Sequence, residues 1–231
     1  MTRRVHPARA TARSRRRRGR GERAGLEGAT ILAQARALVA QHGLSGLTMR
    51  ALADRLGVMP NALYGYFADK DALLDALLDA LLAEVPLPDP GAADWRVALR
   101  ELMRSTRRFL LAHADLIPLF LSRPTRGPSA LRLGEVTLAL LARAGLEGPE
   151  AVEALRILVI YSFGFAAHEA PRLAEVEPEA RRSASEAALA GAPGPHMRAL
   201  SDPLARHPGD ETFDRGLDWL LAGIKSRARA R

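Results

Sequence analysis

The chain has 231 residues, 48% of them apolar and 26% charged, the make-up of a globular protein of one or two domains. It contains no cysteine, which excludes a disulfide framework, a thiolate nucleophile, an iron–sulfur cluster and a cysteine zinc site. The longest uncharged apolar run, residues 157–167, falls short of the ~20 residues of a membrane-spanning helix, and no signal-peptide core follows the charged N-terminus, so the chain reads as soluble, cytoplasmic and without a membrane partner.

The charge is concentrated at one end. Residues 1–27 hold ten arginines against Glu22 and Glu27, a surplus equal to the net charge of +8 on the whole chain. This segment has no apolar periodicity and reads as a disordered, Arg-rich tail suited to a polyanion such as nucleic acid. Its Gly19-Arg20-Gly21-Glu22-Arg23-Ala24 run superficially matches a dinucleotide-binding loop, but no strand precedes it.

From residue 28 onward the periodicity is helical, and no alternating strand pattern interrupts it, so the expected fold is all-α. Ile31, Leu32, Ala35, Leu38 and Val39 mark one face of a first helix that Gly43 ends. Thr48 caps a second helix carrying Met49, Leu52, Ala53 and Leu56, and Gly57 breaks it. Pro60 opens a short third helix over residues 61–66. Asp69 caps a fourth, with a Leu73–Leu82 stripe on one side and Asp71, Asp75 and Asp79 on the other.

The Pro-rich run at residues 85–91 separates this unit from a second. There, helices are predicted at 94–112, 115–121, 129–144, 150–169 and 211–227. Residues 171–209, rich in Pro, Ala and Gly, read as a long connection with one short helix near 197–205. Residues 157–161 alone would pass for a buried strand, but their 20-residue setting favours a helix. The resulting division is tail 1–27, first domain 28–85 and second domain 92–227.

Three short helices with a glycine turn between the second and third have helix-turn-helix spacing, in which the third helix enters the DNA major groove. Spacing alone leaves an ordinary helical bundle equally open. The runs Gly46–Val58 and Ala62–Leu74, the latter containing Leu63-Tyr64-Gly65-Tyr66-Phe67-Ala68-Asp69-Lys70, resemble the DNA-binding domain of TetR-type transcriptional regulators. Asp94-Trp95-Arg96, His113-Ala114-Asp115, Ser122-Arg123-Pro124, Gly164 and Phe213-Asp214-Arg215-Gly216-Leu217-Asp218 resemble the C-terminal domain of the tetracycline repressor subgroup. The resemblance spans residues 28–227.

It implies a DNA-binding regulator, a homodimeric repressor on a palindromic operator that a small effector releases. Its DNA contacts would come from Thr48, Arg50, Asn61, Ala62, Tyr64, Tyr66 and Lys70. Arginine pairs with guanine, asparagine with adenine, and an alanine methyl meets a thymine methyl. Pro60 and Gly65 depart from many relatives, so the operator sequence does not carry over.

In the second domain the resemblance implies an effector pocket and a dimer interface. Trp95, Leu99, Met103, Phe120, Tyr161, Phe165 and His168 are the predicted lining. Phe120 stands where the tetracycline repressor has a metal-ligating histidine, so no metal and no cofactor is expected, and the effector should be apolar or amphipathic. Phe213, Leu217, Leu220, Leu221 and Ile224 stripe the last helix as interface or core. Arg100, Arg104, Arg107 and Arg108 read as a solvated face opposite Asp75 and Asp79. The alternatives are a regulator without an effector, or a DNA-packaging protein relying on its tail. An enzyme is disfavoured: the six histidines lack metal-ligand spacing and no nucleophile motif or catalytic residue is evident.

Overall fold

A computed structural model describes residues 26–123, 126–173 and 177–229. Most of the predicted tail, residues 1–25, lies outside them. Among the described residues the chain is helical with no strand: α1 (Gly28–Gly46), α2 (Met49–Leu56), α3 (Pro60–Leu63), α4 (Lys70–Leu82), α5 (Trp95–Ala112), a 3-10 turn (Ala114–Leu116), α6 (Ile117–Ser122), α7 (Pro128–Arg143), α8 (Gly148–Leu173), α9 (Pro178–Ala190), α10 (Pro195–Ala199), α11 (Ser201–Ala205) and α12 (Asp210–Arg229).

Local chemistry accounts for the boundaries at the N-terminal end. Gly43 has φ 67° and interrupts α1 where the sequence predicts its end. The Thr48 hydroxyl accepts from the Ala51 amide at 3.0 Å, capping α2. Gly57, with φ 66°, closes α2 in the left-handed conformation. Pro60 occupies the first turn of α3, where its missing N–H is harmless. Asp69 caps α4 by accepting from the Ala72 amide at 2.7 Å. The third helix is shorter than predicted: residues 64–66 form a turn.

The core runs without a break from Ile31, Leu38 and Leu52 through Leu77, Leu78 and Leu81 of α4 to Leu99, Leu102, Leu110 and Leu158. In the second unit α5 packs against α8, with α7 and α12 beside them. By length and composition α8 is a helix that can cross a membrane, but here Ala151, Ala154, Leu158, Ser162 and Ala166 bury one of its faces in the core.

Residues 171–209 differ from the expected long connection. Three helices, α9 to α11, occupy most of the stretch. Pro178 and Pro195 sit in the first turns of α9 and α10, starting helices instead of breaking them. No described residue of α9 is buried, so the helix has no core-facing apolar stripe for periodicity to detect.

Of the arginine stripe of α5, Arg108 is exposed as expected, but Arg100, Arg104 and Arg107 are engaged by acids of α8 and α12, and among the described residues none of the four pairs with Asp75 or Asp79. Arg104 makes a two-pronged pair with Asp214 of α12, both bonds 2.7 Å, and that guanidinium holds the Asp214 carboxyl below its ordinary range. Arg100 pairs with Asp218. Arg107 is buried and holds Glu169 of α8 through bonds of 2.8 and 2.7 Å, and Asp210 at 2.7 Å. The partners lie more than sixty positions downstream, beyond the reach of any local pattern.

Candidate functional site

The helix-turn-helix presents one polar rim. Arg55 ties α2 to α1 by donating to Gln34 and Gln41, each at 2.7 Å. Leu63, fully buried, nails α3 onto this scaffold. With the inner faces so engaged, Thr48, Arg50, Asn61 and Tyr64 are exposed on the outside, Tyr64 at 50%. Ala62 and Lys70 are half-buried. Tyr64 is thus not a core tyrosine.

Tyr66 lies in the turn after α3. It is half-buried, and its hydroxyl donates to the carbonyl of Leu26, just before α1. The Arg-rich segment therefore joins the fold within a hydrogen bond of the turn that follows α3. Sequence reasoning missed Met59, which is 76% exposed immediately before α3.

α4 carries the connection to the second unit. Asp71 and Asp75 each hold Arg123 at 2.9 Å. Asp79 accepts from the amides of Ser129 at 2.8 Å and Ala130 at 3.3 Å, capping α7 from another helix. Gly127 is required at this junction, because a side chain there would overlap the Asp79 carboxylate. On the other side of the joint, Arg36 of α1 bonds Glu84 at 2.8 Å and lies against the His113 ring.

The seven predicted effector-lining residues do not converge on one cavity. Leu99 and Met103 are core residues, and the Met103 sulfur accepts from Ser162. Phe120 sits edge-on between Phe109 and Phe163, both at 5.9 Å. Tyr161 stacks on Phe213 at 5.2 Å and donates to the Phe213 carbonyl, and burial raises its phenol above the ordinary range. Phe165 meets Phe213 edge-on at 5.2 Å, under the Arg107 guanidinium. Trp95 is half-buried beside Arg96. His168 is exposed at the end of α8 and lines a separate cavity.

The last helix also needs correction. Phe213, Leu217 and Leu221 are buried within the chain's own core, while Leu220 and Ile224 are half-buried. The apolar face left outside consists of Ile157 and Ile160 on α8 and Trp219 on α12, exposed by 51%, 69% and 73%. A groove of about 270 Å3 between the two helices is lined by Ile157, Trp219, Leu220 and Ile224.

Comparison with known proteins bears on both units. Residues 31–77 match the profile of bacterial regulatory proteins of the tetR family, and residues 87–228 that of the tetracyclin repressor-like C-terminal domain. The chain is 33% identical over 207 residues to an HTH-type transcriptional regulator of Saccharopolyspora erythraea, covering 86% of this chain and 84% of that one. It is 34% identical over 208 residues to the class A tetracycline repressor of transposon 1721 from Escherichia coli, covering 87% and 92%. The fold is similar to that of Streptomyces coelicolor ActR, a TetR family protein, in complex with actinorhodin: TM-score 0.81, 29% identity, 88% of this chain and 98% of that one.

Proposed function

Because the chain belongs to the TetR family of transcriptional regulators, with a tetracycline repressor-like C-terminal domain, we propose that it is a cytoplasmic repressor that binds an inverted-repeat operator as a homodimer and leaves it when a small apolar or amphipathic ligand binds. The observation that carries this reading is the exposure of Arg50 on α2, Asn61 on α3 and Tyr64 just after it, on a chain whose fold is similar to that of a TetR family protein in complex with a small molecule. Thr48, Ala62 and Lys70 border that surface and supply backbone or methyl contacts. Residues 28–85 serve as the reading domain and 92–227 as the effector and dimer domain. Its role is binding DNA, with no catalytic step.

The effector would enter beside Phe120, Tyr161 and Phe165 by parting the aromatic contacts around Phe120. The filled packing of Phe109, Phe120 and Phe163 favours a second reading, a regulator that responds to no ligand. Release of labelled operator by amphipathic aromatic compounds distinguishes the two.

The exposed apolar residues of α8 and α12 supply the dimer face, since an apolar patch of this kind marks an interaction site. Ile160→Glu combined with Trp219→Glu is expected to give folded monomers by light scattering, because both side chains are on the outside. Operator affinity should fall by about 10²–10⁴, the gain lost when two half-sites are no longer held together. A dimer that persists in this variant would place the interface elsewhere. Charged residues at Leu217 or Leu221 would instead disrupt the subunit's own core.

A further inference from the structure

The last turn of α8, the start of α9 and the link from α11 to α12 enclose a cavity of about 560 Å3, within the ~300–1,000 Å3 of small-molecule sites. Its wall is cationic. The guanidiniums of Arg172, Arg181, Arg182 and Arg206 and the rings of His168 and His207 line it, with Glu179 as the one carboxylate among the described lining residues. Behind the wall, Asp202 is shared between Arg182, at 3.1 Å, and Arg206. That double pairing holds the Asp202 carboxyl below its ordinary range, Arg206 contributing most. Glu179 reaches Arg182 at 3.7 Å.

Arg172 is held differently. Its Nη1 lies 2.6 Å from Nε2 of His168 and 2.8 Å from the His168 carbonyl. A guanidinium only donates, so Nε2 is the acceptor in this contact. Arg172 is thus held by a ring nitrogen and a backbone carbonyl at the edge of the cavity.

We propose that this cavity is an anion site for a small molecule bearing carboxylate or phosphoryl groups, with Arg172 as the anchoring cation. The planar fork of a guanidinium accommodates either group through two parallel hydrogen bonds. An arriving anion displaces His168 Nε2 as acceptor from Arg172, and Arg206, on the link from α11 to α12, lines the same cavity. The site differs in place and chemistry from the apolar effector region around Phe120.

The test is isothermal titration of the full chain with citrate and, separately, pyrophosphate, at constant ionic strength. The N-terminal arginines also attract polyanions, so the readout is the difference between the unaltered chain and Arg172→Gln. Arg132→Gln, an exposed arginine of α7, is the control of equal charge. One saturable site per chain is expected in the unaltered protein and in Arg132→Gln, with affinity lower by about tenfold or more in Arg172→Gln, the scale of one charge-assisted pair. Arg172→Lys should fall between, keeping the charge but losing the fork. The tighter of the two probes identifies the preferred anionic group. Equal affinities in Arg172→Gln and Arg132→Gln, or no saturable binding of either probe, would overturn the proposal.

Discussion

Arg107→Ala is expected to lower the stability of the chain by about 3–5 kcal/mol, the range for breaking one partner out of a buried ion pair. The Arg107 side chain is 5% exposed and that of Glu169 10%, and their two parallel bonds join α5 to α8. The guanidinium also lies over the rings of Phe165 and Phe213 at 5.4 and 5.0 Å, so its removal opens the aromatic cluster as well. What dominates is the stranded Glu169 carboxylate, left mostly buried with its guanidinium partner gone. At about 2–4 °C per kcal/mol for a chain of this size, the melting temperature should drop by roughly 6–20 °C. Replacing both partners, as Arg107→Met with Glu169→Leu, should recover most of the loss, because no buried charge is then left unpaired. Urea unfolding measures both; a single-variant loss below about 1 kcal/mol would mean that the pair behaves as an exposed one.

The second large effect is on DNA affinity and its dependence on salt. Ten arginines lie within residues 1–25, and the fold takes up the chain at Leu26, whose carbonyl is held by Tyr66 beside α3. A segment rooted there starts next to the reading helix, and 25 residues at ~3.3–3.6 Å each can extend well past a half-site. Neutralising phosphates releases counterions, with a slope of log affinity against log salt of about −0.9 per phosphate met. If four of the arginines engage backbone, deleting residues 1–25 should flatten the slope by roughly 3–4 units. Base preferences should stay the same, since Arg50 and α3 remain. An unchanged slope would show that these arginines do not touch DNA; altered base preferences would show that they read the minor groove.

The reading head was legible because its determinants are local. Thr48, Gly57, Pro60 and Asp69 act within four residues of themselves, and each terminates or starts a helix as its side chain dictates. The second unit depends on pairings between distant positions, and those were misread. Arg107 looks like part of a charged stripe until α8 and α12 bring Glu169 and Asp210 to it. Leu217 and Leu221 fit an interface stripe as well as a core stripe, and only packing against α5 and α8 decides between them. Asp79 resembles a surface acid of α4, yet its partners are the first amides of a helix fifty residues away. The helical stretch 178–205 carries almost no periodic apolar face, so its order could not be read from spacing.

In the proposed function, two copies of this chain read an inverted repeat through Arg50 and α3. Selection from random duplex DNA with the full chain, followed by sequencing, tests it directly. The expected result is a site with two-fold symmetry, its half-sites falling in successive major grooves. Each should contain a guanine whose preference disappears in Arg50→Ala, at a cost of roughly 1–3 kcal/mol in binding. Asymmetric sites, or a symmetric site that Arg50→Ala selects with the same preferences, would contradict it.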